Sequence, residues 1–516
     1  MSAPARPQWR TRLYLVAGYG ALGALAATGQ APLGWWPVTI AALALLFHIL
    51  PPAAGPRALA LRLWLAGTGY FAGALFWIVE PFFIEPEIHG WMAPFALVLM
   101  AGGMALFWGG AGLLGGWLAQ GRARLVALAA ALVALELLRG WVFTGFPWAM
   151  LGHALIGTPL MHLAAITGAG GLSLLITGAA LGPVLARAWT GRALGTAIAG
   201  AVLAGGWLWA GAQTELPPDR DAIIRLAQPN APQDEKWLAE NTFLFFNRLL
   251  DQTAFPTEPA PDLILWPETA VPFMLEYAGD GLQIMAETAA LHGPDTRIGF
   301  GVQRLEDERF FNSLAILTTA GEITHIYDKH HLVPFGEYIP LSEWLMGTPI
   351  GGLAGRALQG YTPGPGPALL DLGPLGVALP LICYESIFPR HLRTAERPDW
   401  ILQITNDAWF GELTGPFQHL AQARLRAVEQ GLPVLRVANT GVSAFIDARG
   451  GIAAELALGV TGFLDGPLPG ALPPTLYSRF DDAPIWVLLA LILAGAGYPA
   501  LIRSRIKGRS EGASPK

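Results

Sequence analysis

The one cysteine in 516 residues, Cys383, follows the apolar run 377–382 and stands two positions before a carboxylate, Glu385. A run of that length and composition reads as a buried strand, which puts the thiol at a strand's carboxyl end, where open α/β folds carry their chemistry. A free cysteine on its own is ordinarily a small buried hydrophobe, so its meaning depends on its company. Two further groups follow strand-like runs directly: Glu268 after Leu263-Ile264-Leu265-Trp266-Pro267, and Lys329 after Ile326-Tyr327-Asp328. A thiol is mostly protonated at neutral pH. A nucleophilic cysteine therefore needs a base for its proton and a positive charge for the developing anion. A carboxylate and an ammonium supply both.

Other candidate groups lead elsewhere. His330 and His331 are adjacent, so on a strand they point to opposite sides and do not share a metal; solvent or core contacts are expected of them. His391 is separated from Cys383 by residues that read as helix, which suggests a cap or surface role rather than a Cys–His pair. Gly168-Ala169-Gly170-Gly171 lies in an apolar helical segment, not after a strand, and is no dinucleotide fingerprint. A single cysteine permits neither a disulfide framework nor a cysteine-based zinc site. No metal and no cofactor are expected.

The elements that must hold these groups lie in 214–483, where strand-like runs, charged helices and Pro/Gly turns alternate. About 270 residues suffice for one α/β domain. Strands are expected at 222–227, 263–266, 297–302, 314–317, 323–327, 377–382, 400–404, 434–437 and 444–446, with helices at 235–250 and about 416–430 and a loop at 360–367. The turn Ala320-Gly321 pairs two of these strands.

These blocks carry a resemblance. Trp266-Pro267-Glu268-Thr269, the stretch from Tyr327 through Lys329 and Glu337 to Tyr338, and Cys383-Tyr384-Glu385 resemble the Glu-Lys-Cys motifs of the nitrilase superfamily. With Asn406-Asp407-Ala408-Trp409-Phe410-Gly411 and the flanking apolar segments, nearly the whole chain resembles the apolipoprotein N-acyltransferase branch. The resemblance implies an α-β-β-α sandwich in which Cys383 is the nucleophile, Glu268 the general base and Lys329 the oxyanion stabiliser. It further implies that Glu337 orients the lysine or shares proton transfer, that Tyr384 and Glu385 support the site, and that Trp237 and Trp409 meet lipid from mobile loops. The catalytic positions show no departure from the pattern. Divergence is confined to the membrane helices and the loop near 345–360.

The reaction so implied moves an acyl chain from a glycerophospholipid to the α-amino group of an apolipoprotein's S-diacylglyceryl cysteine, by a ping-pong route through a thioester on Cys383. A membrane-tethered amidase or nitrilase-type hydrolase would use the same three residues. Seven apolar segments ahead of the domain exceed what a tether needs. A membrane receptor or scaffold that only binds acylated protein leaves the lone cysteine unexplained.

Composition fits a membrane chain: 53% hydrophobic and 14% charged residues, with a mean hydropathy of +0.43, are too oily for an ordinary soluble protein. The formal charge of -6 shows no basic surplus for a nucleic-acid partner. Apolar stretches long enough to span a bilayer occur at about 11–29, 34–50, 58–79, 91–118, 123–139, 162–186, 194–212 and 484–502. The fourth is so rich in glycine that a straight, uniform helix is not expected there. Domains are accordingly expected at 1–213 (seven transmembrane helices), 214–483 (catalytic) and 484–516 (an eighth helix and a tail). Arginines Arg6, Arg10, Arg12, Arg57, Arg62, Arg122, Arg124, Arg187 and Arg192, with the basic tail from Arg503, mark alternate loops, and Arg139 is the one exception. Basic residues stay cytoplasmic. Both termini are thus expected inside and the catalytic segment outside a bacterial inner membrane. The first segment also has a signal-peptide look around Ala24-Leu25-Ala26, but the unbroken charge alternation favours an uncleaved helix.

Overall fold

The computed structural model describes residues 8–51, 53–340 and 360–511. The loop near 345–360, expected to diverge, lies outside the described residues but for Gly360, and so does Arg6. The chain forms two compact units, Met1–Thr214 with Leu476–Lys516, and Glu215–Thr475.

The first unit is helical: α1 (Gln8–Ala27), α2 (Trp36–Ile49), α3 (Pro56–Ala74), α4 (Pro86–His89), α5 (Ala93–Leu118), α6 (Ala123–Arg139), α7 (Ala164–Leu181), α8 (Trp189–Gly211) and a last long helix, Ala483–Glu511. Among the described residues three stretches are long and apolar enough to cross a membrane, Pro86–Leu118, Pro159–Leu181 and Trp189–Gly211. A fourth joins them if α3 and the turn Phe76–Phe83, bent by 49°, count as one. Leu15–Ala27, Trp36–Ile49 and Ala483–Tyr498 are shorter apolar helices.

The glycine-rich stretch forms one continuous helix, α5. Each glycine costs a helix about 1 kcal/mol relative to alanine, but here the missing Cβ is what lets neighbours approach. A Cβ on Gly112 would lie 2.8 Å from Ala60 of α3, and one on Gly115 2.8 Å from Leu128 of α6. Close packing on two sides holds the helix together. Arg139, the exception among the basic residues, is buried and donates to the carbonyls of Phe146 and Trp148 at 2.5 and 2.8 Å. Backbone oxygens from the following turn receive its charge.

The second unit contains two six-stranded sheets. One has the order β12-β1-β2-β3-β4-β5 and the other β11-β10-β9-β8-β7-β6. The strands are β1 (Ile223–Gln228), β2 (Leu263–Leu265), β3 (Arg297–Glu306), β4 (Arg309–Thr318), β5 (Ile323–Asp328), β6 (Leu370–Asp371), β7 (Val377–Ile382), β8 (Trp400–Thr405), β9 (Val434–Ala438), β10 (Ser443–Ile446), β11 (Ile452–Leu456) and β12 (Gly462–Pro467). Parallel pairing runs through β1-β2-β3 and through β7-β8-β9. All other pairs are antiparallel.

Side chains sort by the two-residue period of a strand. In β7, Ala378 and Ile382 enter a core shared with Leu226, Leu265 and Leu314 of the other sheet, whereas Leu379 and Leu381 pack on Leu420, Ala423 and Ala427 of the helix Gly415–Gln430. Both faces are buried, which is why the run reads as continuously apolar. On the far side α10 (Thr242–Ala254) and α11 (Gly279–Ala289) cover the first sheet through Phe246, Leu249, Met285 and Ala286. The layers are therefore α-β-β-α.

The helix expected at 235–250 is broken. A short α9 (Gln233–Lys236) ends at Trp237, a 3-10 turn follows at Ala239–Asn241, and α10 begins only at Thr242. That break leaves Lys236 and Trp237 at a loop beside the catalytic groups.

Candidate active site

Strands of both sheets lead into the groups singled out by sequence, two of them parallel strands and the third the antiparallel edge strand β5. Glu268 lies three residues beyond β2, Lys329 immediately follows β5, and Cys383 immediately follows β7. All three are buried, at 6%, 1% and 5% exposure. Cys383 and Thr269 adopt left-handed backbone conformations, with φ of +50° and +49°. Such angles are unusual for side chains other than glycine and persist only where surrounding contacts hold them. At Cys383 those contacts are the Ser386 hydroxyl, which donates to its carbonyl at 2.9 Å, and His419 Nε2, 3.2 Å from the same oxygen.

Lys329 Nζ donates to Glu337 Oε1 at 2.8 Å and to Glu268 Oε1 at 3.3 Å. Asn312 Nδ2, on β4, bridges the same two carboxylates, donating to Glu268 Oε1 at 2.7 Å and to Glu337 Oε1 at 3.1 Å. The second oxygens are held by backbone: Asn406 N–H donates to Glu268 Oε2, and Val333 N–H to Glu337 Oε2, each at 2.8 Å. Two carboxylates thus share one ammonium. Burial on its own would lower the lysine, but Glu268, Glu337 and Cys383 outweigh it and keep Lys329 charged well above its ordinary range. The thiol moves the other way from a catalyst's ideal at rest. Burial and then Glu268 push it up, while Lys329 and a hydrogen bond with Thr405 oppose them. The resting nucleophile is a neutral thiol beside a charged base and a charged ammonium, so ionisation has to accompany attack.

Glu385 works at a distance from the sulfur. Fully buried, it accepts from the N–H groups of Ile382 (2.8 Å), His330 (2.8 Å) and His331 (3.2 Å) and from the Tyr327 hydroxyl (3.0 Å). One carboxylate therefore ties the turn after β5 to the turn after β7. Tyr384 is buried against Phe388, with ring centroids 5.1 Å apart. Trp237 and Trp409 are 49% and 41% exposed, Trp237 at the break after α9 and Trp409 in the turn Asp407–Phe410.

His391 departs from expectation. Residues 383–387 and 389–392 form 3-10 turns rather than a helix, and this folds His391 inward. It bridges His330 and His331, with nitrogen–nitrogen distances of 3.0 Å on either side, and His330 Nδ1 is 2.7 Å from Glu385. Burial and the neighbouring charges hold His331 and His391 down, to about 3 and about 2, so both are neutral. No group of three His, Cys, Asp or Glu side chains among the described residues is arranged to hold a metal ion.

Sequence reasoning missed Asn312, because an asparagine within a strand gives no signal until the strand is placed beside Glu268. It also missed Lys236. That ammonium is half-buried, donates to Thr269 Oγ1 at 2.9 Å and to the Glu268 carbonyl at 3.4 Å, and lies 5.4 Å from the Trp237 ring centroid. Burial pulls it down to about 8, with Glu268 opposing.

Known proteins match both units. Residues 22–182 match the model of the apolipoprotein N-acyltransferase N-terminal domain, and residues 223–467 match that of the carbon-nitrogen hydrolases. The apolipoprotein N-acyltransferase of Caulobacter vibrioides is 38% identical over 516 residues, covering 96% of both chains. The chain belongs to the apolipoprotein N-acyltransferase family. Other members stand at a similar distance: that of Allorhizobium ampelinum is 36% identical over 95% of each chain, and that of Rhodopseudomonas palustris 36% over 91% and 92%. Among solved structures, the CN-hydrolase superfamily protein of Xanthomonas campestris covers 48% of this chain and 91% of its own, with 22% identity and a TM-score of 0.35.

Proposed function

We propose that this family member is the enzyme that transfers a fatty acyl chain from a glycerophospholipid to the α-amino group of an apolipoprotein's S-diacylglyceryl cysteine. One observation carries the reading: a buried thiol, electrostatically coupled to Glu268 and Lys329, in a chain similar along nearly its whole length to acyltransferases. In the first half-reaction Glu268 takes the thiol proton as sulfur attacks the ester carbonyl. Lys329 holds the oxyanion, and the lysophospholipid leaves with a proton. In the second, the acceptor amine attacks the thioester, the amide forms, and the thiol regains its proton. A thioester suits this sequence because it is made from an ester and is readily opened by an amine. Glu337 orients Lys329, Tyr384 and Glu385 support the site, and Trp237 and Trp409 meet the acyl chains.

The catalytic domain is read as 214–483, outside a bacterial inner membrane, carried by eight membrane helices with both ends of the chain inside. The alternation of basic loops supports this topology. A reporter active only outside the cytoplasm should be active when fused within 214–483 and silent near Arg122. The opposite pattern would overturn the localisation.

The chemistry has a direct test. Purified protein incubated with phospholipid alone should gain the mass of one acyl chain on Cys383, released by neutral hydroxylamine. Addition of a diacylated lipopeptide should discharge the adduct as an amide. Rapid release as free fatty acid would instead establish the hydrolase alternative.

A further inference from the structure

Lys329 and Lys236 differ in what answers their charge. Lys329 faces two carboxylates, and its one remaining donor is the one the oxyanion needs. Lys236 has only neutral partners, the Thr269 hydroxyl and the Glu268 carbonyl, and makes no ion pair among the described residues. A half-buried ammonium that touches no carboxylate directly is costly: burial lowers it, and the Glu268 carboxylate only partly offsets that. It is also well placed, since the carbonyl it contacts belongs to the residue whose carboxylate bears on the thiol. Beside it, Trp237 offers an exposed aromatic face.

An acyl donor of the proposed class brings one fixed anion, the phosphodiester, only a few bonds from its ester carbonyls. We propose that Lys236 receives this phosphate, fixing the donor's glycerol so that an ester carbonyl meets Cys383, with Trp237 lying along the adjoining acyl chain. The inference rests on the acyltransferase reading above and adds the group that selects a phosphate-bearing donor over a neutral glycerolipid. The competing role is structural: Lys236 would serve only to hold the left-handed Thr269 turn and would be indifferent to the donor's charge.

Dialkyl ether lipids, which have no ester to transfer, separate these roles. With the full-length protein in detergent, inhibition of Cys383 acylation is compared for a dialkyl glycerophosphoglycerol and for the matching dialkyl glycerol. The phosphate should improve inhibition of the wild type by about tenfold or more, the scale of one partly buried charge-assisted contact. Lys236→Gln should erase most of that preference, and Lys236→Arg should keep it. A variant-free check uses pH. The charged group that acts on the ammonium is Glu268, which opposes its loss of charge; Asp234 and Glu235 are exposed on the same short helix. With Lys236 near 8, the wild-type preference should shrink between pH 7 and 9, where the phosphodiester does not titrate.

Equal inhibition of the wild type by both lipids would overturn the assignment. So would a proportional loss for both lipids in Lys236→Gln, or a preference independent of pH. Failure of the acyltransferase reading looks different: no adduct forms on Cys383 from ester phospholipid. Direct binding of the two ether lipids, read by native mass spectrometry, then still reports on Lys236.

Discussion

Two buried charge clusters lie in the same sandwich, and they are balanced differently. In the first, Glu268 and Glu337 share Lys329, two carboxyl groups on one ammonium. In the second, Asp407 accepts from Arg436, from His419 Nδ1 at 2.9 Å and from Thr405 Oγ1 at 2.9 Å. Burial alone would raise Asp407, but Arg436 and His419 outweigh it and hold the carboxylate down at about 2. Both Asp407 oxygens are committed, and the cluster touches Cys383 at its carbonyl through His419 and at its thiol through Thr405. A saturated cluster fixes geometry, whereas one with surplus carboxylate can take a proton. The contrast separates scaffold from chemistry more sharply than burial does, since both clusters are buried.

The largest effect should come from the unsaturated cluster. Glu268→Gln removes the base and should leave Cys383 without an acyl adduct in the mass assay of the folded protein, even though the amide can satisfy only one of the two donor sets that the carboxylate satisfied. Next is Lys329→Ala, which should slow acylation by about two to three decades while phospholipid binding is largely kept, since the charge matters most in the transition state. Lys329→Arg is not expected to restore the rate, because a planar fork replaces a compact ammonium. Unchanged turnover in Lys329→Ala would remove it from the mechanism.

The saturated cluster should fail as structure. Asp407→Asn leaves Arg436 buried without its counter-charge, at a cost of about 3–5 kcal/mol, read as a lowered unfolding midpoint with activity lost in parallel. A normal midpoint with slow catalysis would move Asp407 to the chemical side of the comparison. The smallest effect is on acid stability. Asp407 is depressed in the folded state, so its contribution is complete above its ordinary value near 3.8 and is lost as pH falls toward 2. The amount is about 2 kcal/mol. Asp407→Asn should lack that part of the acid transition.

How much of this was legible in the sequence depended on range. Cys383, Glu268 and Lys329 were readable because each follows a strand-like run, apolar for the first two and alternating for Lys329, and strand ends are local features. The strands β6, β11 and β12 were not. β6 is two residues long, β11 alternates half-buried and exposed positions, and β12 contains Gly466 and Pro467. Their existence depends on partners far along the chain. His391 was misjudged for the same reason: its place is set by His330 and His331, some sixty residues earlier. Lys236 was hidden by a periodicity that promised a continuous helix through a position where the chain turns.

The register of β12 on β1 has a consequence for the architecture. The last strand of the second unit lies antiparallel beside the first, with Ile223 opposite Pro467. Entry and exit of that unit are therefore neighbours on one sheet edge. A segment whose two ends meet can be excised from a longer chain, or inserted into one, without unthreading anything. The sandwich is in this sense a cassette, with its splice points just before β1 and just after β12.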